Sequence, residues 1–364
     1  MFKFSELRSL HIELSTRCQA SCPMCGRNNH GGLPNPNLLL DDMSLDLFKK
    51  IVDKDVLQQV DHYCFCGNFG DPIINDDLLE ICRYLKVNSP NCTVHIHTNG
   101  GARNSEWWRN LKESLPIRHK VYFAIDGLED THHLYRIGTT YERVTQNAKT
   151  FIDAGGKAEW VFIKFKHNEH QVEEVKRRSE ELGFISFTIK NTNRFVGDNK
   201  FSVLDKDGGH LYYLEPPSDN KVAVVDISAI TKFKQDYSSM NIDCYSKKHS
   251  EIYIDVHGKM SPCCFISQAP YTNPSDRPLI SDLKKDAIDQ FNSLTSDLGG
   301  ADEIDLSKRS IKEAIDNPSW QKVWYDYWEE GKLVICAKTC GNHKYTKPKE
   351  QIIGNVVHKV QITK

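Results

Sequence analysis

The chain has 364 residues, 39% hydrophobic and 26% charged, a balance typical of globular proteins that excludes a disordered or fibrous chain. Lys and Arg (47) nearly balance Asp and Glu (49), and the resulting net charge of −2 favours neither nucleic acid nor an anionic membrane as a partner. No apolar run approaches the roughly 20 residues of a spanning helix, and the start of the chain lacks a signal-peptide pattern. We therefore expect a cytoplasmic protein whose 12 cysteines do not serve disulfides.

Residues 1 to 190 alternate short apolar segments with amphipathic stretches, which predicts strands and helices in turn. The predicted strands are 10–15, 62–66, 93–98, 120–125, 158–165 and 185–190. The predicted helices between them are 44–57, 76–85, 141–155 and 169–183. Six βα units in series predict an α/β fold with a parallel sheet, open or curled into a barrel, whose working residues gather at the carboxyl ends of the strands.

The pattern changes after the sixth predicted strand. Gly, Asp and a Pro-Pro pair between about 195 and 240 favour an insert or linker. Beyond it lie five of the cysteines, a β-like segment at 251–258 and helical patterns at about 281–295 and 310–330. We predict a main domain at 1–195, an insert or linker at 196–239 and a smaller cysteine-rich domain at 240–364.

The strongest chemical signal directly follows the first strand. Cys18, Cys22 and Cys25 form a C-x3-C-x2-C pattern, and three thiolates on one short loop can bind a soft metal or an iron–sulfur cluster. A cluster held by three cysteines leaves one iron open for a further ligand. A tetrahedral zinc site with His30 as the fourth ligand is the alternative.

On this motif the chain resembles the radical S-adenosylmethionine (SAM) superfamily, whose hallmark is C-x3-C-x2-C after the first strand of a partial (β/α)6 barrel. The stretch Gly67-Asn68-Phe69-Gly70-Asp71-Pro72 stands where that superfamily has a Gly-rich motif for the methionine amino group. Asn68 and Asp71 depart from the usual two glycines, Glu and Pro, although Asp71 supplies an acceptor for an ammonium. Taken alone, the stretch is also consistent with a plain βα turn.

The resemblance implies further SAM contacts at later strand ends. Arg136 stands where relatives pair an arginine with the SAM carboxylate, a pairing that suits the bidentate guanidinium. Met24 stands where the family often has an aromatic residue. The implied cofactor-binding residues are Met24, Gly67, Asn68, Gly70, Asp71, Thr98, Asn99, Asp126 and Arg136.

A second group of cysteines lies in the C-terminal region. The segment 251–258, ending in Gly258 five positions before Cys263, resembles the auxiliary-cluster domain of the SPASM and twitch subfamilies. Five cysteines fit one cluster better than two, so the resemblance implies a twitch-like domain with a second 4Fe–4S cluster. Its implied ligands are Cys244, Cys263, Cys336 and Cys340. A structural zinc on the same thiolates, or Cys264 in place of Cys263, are the alternatives.

The resemblance implies an enzyme. In relatives, a 4Fe–4S cluster binds SAM and, once reduced by a partner such as flavodoxin or ferredoxin, cleaves it to a 5′-deoxyadenosyl radical that abstracts hydrogen from a substrate C–H bond. Because the first strand comes early, with no preceding peptide-binding module, we expect oxidation or epimerisation of a small molecule such as a sugar derivative. Radical modification of a ribosomal peptide or protein, and a non-catalytic iron–sulfur or zinc binding module, are the alternatives.

Two weaker sets of residues complete the predictions. Cys66, on one strand face with Cys64, is a candidate hydrogen-atom donor, although buried strand cysteines usually serve packing. Four basic residues near the later strands can hold an anionic group or be ordinary solvated charges: Lys164, Lys166, Lys190 and Arg194.

Overall fold

A computed structural model describes residues 2–192, 194–196, 200–219, 224–225, 233, 237–271, 281–329, 333–341 and 357–361. The strands are β1 (Ser9–Ile12), β2 (His62–Phe65), β3 (Thr93–Thr98), β4 (Arg118–Ala124), β5 (Ala158–Ile163), β6 (Ser186–Lys190), β7 (Phe195–Val196), β8 (Phe201–Leu204), β9 (His210–Leu214), β10 (Val224–Val225), β11 (Glu251–Ile254), β12 (Met260–Ser261) and β13 (Val357–Gln361). All six predicted strands of the main domain are therefore present.

Helices separate most of the parallel strands. They are α1 (Leu45–Ile51), α2 (Lys54–Gln59), α3 (Leu78–Asn88), α4 (Ser105–Ser114), α5 (His132–Tyr135), α6 (Tyr141–Asp153), α7 (Val172–Glu181), α8 (Tyr245–Lys248), α9 (Cys264–Ser267), α10 (Ser281–Asp297), α11 (Ile311–Ile315), α12 (Pro318–Glu329) and α13 (Val334–Cys340). The predicted helix 44–57 is two helices, because Asp53 caps α2 by accepting a hydrogen bond from the Val56 N–H. No helix in the described ranges is both long and apolar enough to cross a bilayer.

The main sheet has the order β12-β11-β1-β2-β3-β4-β5-β6-β13. Strands β1 to β6 pair in parallel and in chain order, which confirms the predicted α/β fold. Helices cover the outer face, where alternate strand residues such as Tyr63, Ile96 and Phe123 are fully buried in one core. The other face of each strand is left for the interior.

The sheet is curled into a partial barrel. Strands lie about 4.8 Å apart, so a flat sheet would separate β1 from β6 by more than 20 Å. Nevertheless Thr192 and Arg194, just after β6, donate hydrogen bonds to Met24, in the loop after β1. The two ends of the parallel sheet therefore curve towards each other around an enclosed interior.

Segments from the predicted insert and smaller domain pack onto this barrel. β11 pairs in parallel with β1 and returns antiparallel as β12 through a turn at Gly258, whose φ of 79° suits glycine. The β8–β9 hairpin packs its Phe201 and Val203 against the loop that carries Cys22. The proposed domain boundaries remain a prediction.

Candidate functional site

The three N-terminal cysteines lie in the loop after β1, as free thiols with Cys22 buried and the others half-buried. Cys18 Sγ accepts hydrogen bonds from the Ala20 backbone N–H (3.4 Å) and from Asn99 Nδ2 (3.3 Å), and Arg136 Nη1 lies 3.6 Å from Cys22 Sγ. Burial raises the pKa of the Cys18 and Cys22 thiols, and Cys22 and Cys25 are near enough to influence each other's charge. Amide and guanidinium donors thus point at the sulfurs, where they would stabilise negative charge.

Asp71 organises the end of β3 next to this loop. Its Oδ2 accepts hydrogen bonds from Thr98 Oγ1 (3.0 Å) and from the backbone N–H and Nδ2 of Asn99 (both 2.7 Å), and its Oδ1 accepts one from the Ile73 N–H. Burial raises the pKa of the Asp71 carboxyl. The side chain that was expected to meet an ammonium therefore holds Asn99 against Cys18.

Two glycines allow residues 67–72 after β2, which we call the motif loop, to approach the segment after β1 that carries Cys18, Cys22 and Cys25, which we call the cysteine loop. A Cβ on Gly70 would lie 2.0 Å from the Ser15 carbonyl oxygen, and a Cβ on Gly67 would lie 2.3 Å from the Gly70 carbonyl oxygen. No side chain fits at either position without moving backbone. The close approach that the Gly-rich stretch predicts is therefore present.

Glu13 is a buried residue of the site that sequence reasoning missed. Its Oε1 accepts hydrogen bonds from the backbone N–H groups of Phe69 (2.8 Å) and Gly70 (3.3 Å), and its Oε2 accepts one from Tyr253 on β11. Burial raises the pKa of its carboxyl to about 7. A carboxylic acid within the apolar segment 10–15 was the available signal.

Asn68 connects the motif loop to the C-terminal region. Its Nδ2 donates to the Cys264 carbonyl oxygen (3.0 Å), and its Oδ1 accepts from Gln268 Nε2 (2.8 Å). A glycine, the residue that the family pattern has here, would make neither hydrogen bond. The departure from the pattern thus ties the motif loop to α9.

Arg136 and Asp126 form a buried ion pair on the opposite side of the cysteine loop. Arg136 Nε lies 2.6 Å from Asp126 Oδ2, and Asp126 is fully buried. Asp126 Oδ1 also accepts from the Ile163 N–H. This pair fixes the guanidinium, while Nη1 faces Cys22 and remains available to a bound anion.

The β8–β9 hairpin and the segment after β6 cover the cysteine loop from outside. Met24 is buried there, with its Sδ near Thr192 Oγ1 (3.9 Å). His30 stacks on Phe201 with ring centroids 4.4 Å apart, and its Nδ1 lies 2.7 Å from the Ser202 carbonyl oxygen. The histidine considered as a zinc ligand therefore packs against the hairpin.

The structure places Cys244, Cys263 and Cys340 near one another, and Cys336 lies on the same helix as Cys340. Cys244 and Cys340 are adjacent through a hydrogen bond from the Asp243 N–H to the Cys340 carbonyl oxygen (2.8 Å), and both influence the charge of Cys263. Cys336 is one helical turn before Cys340 on α13, and it packs in the same core as Cys244 and Cys263. Burial raises the pKa of the Cys264 thiol, and the neighbouring charges that add to this are those of Cys263 and then of Cys66 and Cys64, on and just after β2.

Both cysteine groups have the donor chemistry of iron–sulfur clusters. Among the described residues, no three or more His, Cys, Asp or Glu side chains converge on a point suited to one metal ion. A 4Fe–4S cluster places each thiolate on a different iron and so needs wider spacing. The three thiols of the loop after β1, with N–H donors near them, fit such a cluster. The four C-terminal thiols, at the N-caps of α8 and α9 and on α13, have the same donor chemistry.

The remaining basic candidates differ in their surroundings. Lys164 pairs with Asp219 (2.6 Å), Lys166 pairs with Glu215 (2.9 Å), and Arg194 donates to the Met24 carbonyl oxygen. Lys190, at the end of β6, makes no ion pair within the described part of the chain. Cys66 ends the inner face of β2, directly before Gly67.

Comparison with protein families decides the class of this domain. The Radical SAM superfamily model matches residues 12–183, which cover β1 through α7 and the cysteine and Gly-rich loops. The chain carries a radical SAM domain. The members of that superfamily are enzymes.

One curated relative of the radical SAM protein is the tungsten-containing aldehyde ferredoxin oxidoreductase cofactor-modifying protein of Pyrococcus furiosus. The two are 24% identical over 193 residues, which are 51% of each chain. This chain thus spans about half of the length of that relative.

Solved structures share the fold of the radical SAM domain. anSMEcpe with bound AdoMet matches with a TM-score of 0.50 at 16% identity, over 89% of this chain and 93% of its own. Streptococcus suis SuiB bound to the precursor peptide SuiA matches with a TM-score of 0.49 at 15% identity, over 87% of this chain and 66% of its own. The match to anSMEcpe shows the common fold over most of both chains.

Proposed function

We propose that the protein cleaves SAM reductively and uses the resulting radical to abstract hydrogen from a C–H bond of a small molecule, in an oxidation or an epimerisation. One observation carries the proposal: the thiols of the loop after β1, the motif loop after β2, Asn99 after β3 and the Arg136–Asp126 pair after β4 meet at one end of the barrel. These are the positions at which a radical SAM domain holds its cofactors.

Each residue has a distinct task in this proposal. Cys18, Cys22 and Cys25 would hold a 4Fe–4S cluster with one open iron, which would supply the electron for cleavage of SAM to methionine and a 5′-deoxyadenosyl radical. Arg136, preoriented by Asp126, binds the SAM carboxylate through a charge-assisted hydrogen bond. Carbonyl oxygens of the motif loop around Gly67 and Gly70 accept from the methionine ammonium, while Asp71 holds Asn99 beside Cys18. The curled sheet encloses the reacting atoms and limits access of water.

A small molecule is the favoured substrate. The name of the Pyrococcus furiosus relative refers to modification of a cofactor, which supports chemistry on a small molecule. Peptide modification remains the alternative substrate class.

We also propose a second 4Fe–4S cluster on Cys244, Cys263, Cys336 and Cys340, with Cys264 outside the ligand set. Neighbouring side chains of an extended segment point to opposite sides. Cys244 and Cys340 lie near enough to Cys263 to raise the pKa of its thiol, whereas Cys264 is influenced by Cys263 itself and by Cys66 and Cys64. Four thiolates complete the coordination of such a cluster, so an electron-transfer or structural role is expected.

The test is anaerobic reconstitution with iron and sulfide, followed by SAM and dithionite. We expect 5′-deoxyadenosine from the wild type and none from a variant with Cys18, Cys22 and Cys25 all replaced by Ala. Cys92→Ala is the matched control, because this buried thiol lies outside both cysteine groups, and it should retain the activity. Stoichiometric zinc without iron in the reconstituted wild type would instead establish a binding module.

A further inference from the structure

The inner face of the partial barrel surrounds a polar space that the cofactor site does not use. Cys64 and Cys66 on β2 and His97 on β3 keep exposed surface, yet burial is the main cause of their altered pKa values. Burial raises the pKa of the Cys66 thiol to about 12. These side chains are partly accessible to water, yet protein surrounds them on most sides. Such side chains line an internal space. His97 stacks on Tyr122 with ring centroids 4.2 Å apart and forms part of its wall.

Lys190 extends into this space from β6. Its neighbours Phe187 and Ile189 pack into the outer core, so Ser186, Thr188 and Lys190 face inward. Thr188 confirms this direction, because its Oγ1 donates to Glu159, an inner residue of β5. The Lys190 charge acts on Cys64, Cys66, His97 and Asp126, which belong to β2, β3 and the end of β4.

The Lys190 ammonium has no counter-ion within the described part of the chain. The carboxylates nearest the interior are engaged elsewhere: Asp126 with Arg136, Glu159 with Lys120, Glu13 with Tyr253 and the motif loop, Asp71 with Asn99, and Glu251 with Ser9. The next residue, Asn191, has a buried side-chain oxygen without a hydrogen-bond partner. Among these groups, the Lys190 ammonium is the one that faces the interior.

We propose that the substrate carries an anionic group, a carboxylate or a phosphate, that binds Lys190 inside the barrel. This inference rests on the proposed function, and it adds the charge of the substrate. An anionic ligand beside the Lys190 ammonium would form a charge-assisted hydrogen bond that fixes the orientation of the substrate. The site lies between the Cys66 end of β2 and Asp126, which places the remainder of the ligand next to the SAM site.

Two anions serve as probes in a titration calorimetry experiment on the reconstituted protein with SAM present. Inorganic phosphate in one arm and succinate in the other distinguish the two anion types. We expect saturable binding in at least one arm, about tenfold or more weaker binding for Lys190→Gln, since a charge-assisted hydrogen bond is lost, and largely retained binding for Lys190→Arg. Lys166→Gln, which removes the same charge from a half-exposed ion pair with Glu215, should bind within twofold of the wild type.

The outcomes separate this inference from the proposed function. Absence of binding in both arms for the wild type, equal binding by Lys190→Gln, or an equal loss in Lys166→Gln would each overturn the inference. Formation of 5′-deoxyadenosine from SAM and dithionite is measured on the same samples and tests the proposed function separately. Anion binding at Lys190 in a protein that fails to cleave SAM would retain the site and reject the enzyme.

Discussion

Arg136 joins the ion-pair network of the site to the cluster-binding loop. Its Nε is fixed by Asp126 at 2.6 Å while Nη1 faces Cys22 Sγ at 3.6 Å. Only a guanidinium provides both contacts from one rigid plane, because an ammonium is a single point of charge. The residue type at this position therefore matters more than its charge alone.

We predict that Arg136→Lys and Arg136→Ala both weaken SAM binding. The loss of a charge-assisted hydrogen bond to a buried carboxylate corresponds to about 1.5–3 kcal/mol, or roughly ten- to hundredfold in affinity. Equilibrium binding of SAM to the reconstituted variants measures the change. Arg83→Ala, which removes an exposed pair with Glu80, is the control, and unchanged SAM affinity in Arg136→Ala would remove this residue from the site.

Glu13 makes the stability of the motif loop dependent on pH. Burial raises the pKa of its carboxyl from 4.5 to about 7 in the folded protein, so between these values the folded state binds more protons than the unfolded state. Its contribution to stability is therefore fully present below about pH 4.5 and is lost as the pH rises through about 7.

Glu13→Gln should remove this loss. One pKa unit corresponds to about 1.4 kcal/mol. The difference in free energy of unfolding between the variant and the wild type should therefore grow by on the order of 3 kcal/mol between pH 4.5 and pH 8. Thermal unfolding at several pH values measures it, with Glu80→Gln as an exposed control. Parallel pH profiles for Glu13→Gln and the wild type would show that Glu13 is ionised in the folded protein.

At the scale of elements, α9 and the motif loop are joined by side-chain hydrogen bonds and an aromatic contact. Cys263 is the N-cap of α9. Asn68 forms hydrogen bonds with Cys264, the first residue of this helix, and with Gln268, its C-cap. Phe69 of the motif loop also contacts Tyr271, with ring centroids 5.4 Å apart. The proposed ligand of the second cluster is thus connected to the loop that we propose binds SAM.

Asn68→Ala should lower the free energy of unfolding by about 1–3 kcal/mol, because it removes the hydrogen bonds of Asn68 with the Cys264 carbonyl oxygen and with Gln268. Gln268→Ala should have a smaller effect, and the double variant should show less than the sum of the two changes, since the side chains bond to each other. Denaturant unfolding of the three variants provides the measurement. Strictly additive changes would mean that the two side chains do not interact.

The auxiliary cysteines give a second prediction at this scale. Single Ala substitutions at Cys244, Cys263, Cys336 and Cys340 should each lower the iron content towards about four per chain, whereas Cys264→Ala should keep the wild-type value. If the second cluster carries electrons from the substrate, Cys336→Ala should still cleave SAM but form little oxidised product. Loss of half of the iron in Cys264→Ala, with full iron in Cys263→Ala, would reverse the assignment of these two residues.

At the scale of the molecule, the curled sheet collects contributions from most of the chain around one interior. β11 from the C-terminal region extends the parallel sheet beside β1, and Tyr253 on it reaches the motif loop through Glu13. The two cysteine groups are therefore held on one structural frame. Their clusters should still form separately, because no cysteine is shared between them.

We expect the anaerobically purified protein to hold about eight irons per chain, as two 4Fe–4S clusters. Joint replacement of Cys18, Cys22 and Cys25 by Ala should leave about four. Iron and sulfide analysis, together with electron paramagnetic resonance of the reduced protein, gives both numbers. About four irons in the wild type would contradict the second cluster.

Local patterns in the sequence determined the parallel α/β fold and the cysteine motif. Alternation of apolar residues marked the segments that became β1 to β6, and the spacing of Cys18, Cys22 and Cys25 lies within a single loop. Such features depend on neighbours along the chain, so no tertiary information is needed to find them. The helix Ser105–Ser114 was missed, although its hydrophobic residues Trp108 and Leu111 are fully buried.

Only the tertiary structure decided what the individual side chains do. The sequence placed Asp71 as an acceptor for an ammonium, but folding brings Asn99 to it from 28 positions away. In the sequence, Asn68 is only a departure from the family motif. In the structure it has hydrogen-bond partners in and next to α9, about 200 positions later. From the sequence, Lys190 could not be distinguished from Lys164 and Lys166. In the curled sheet Lys190 faces the interior, whereas Lys164 and Lys166 each pair with a carboxylate. Residue roles depend on contacts between distant segments, and the apolar alternation that fixes the strands does not encode those contacts.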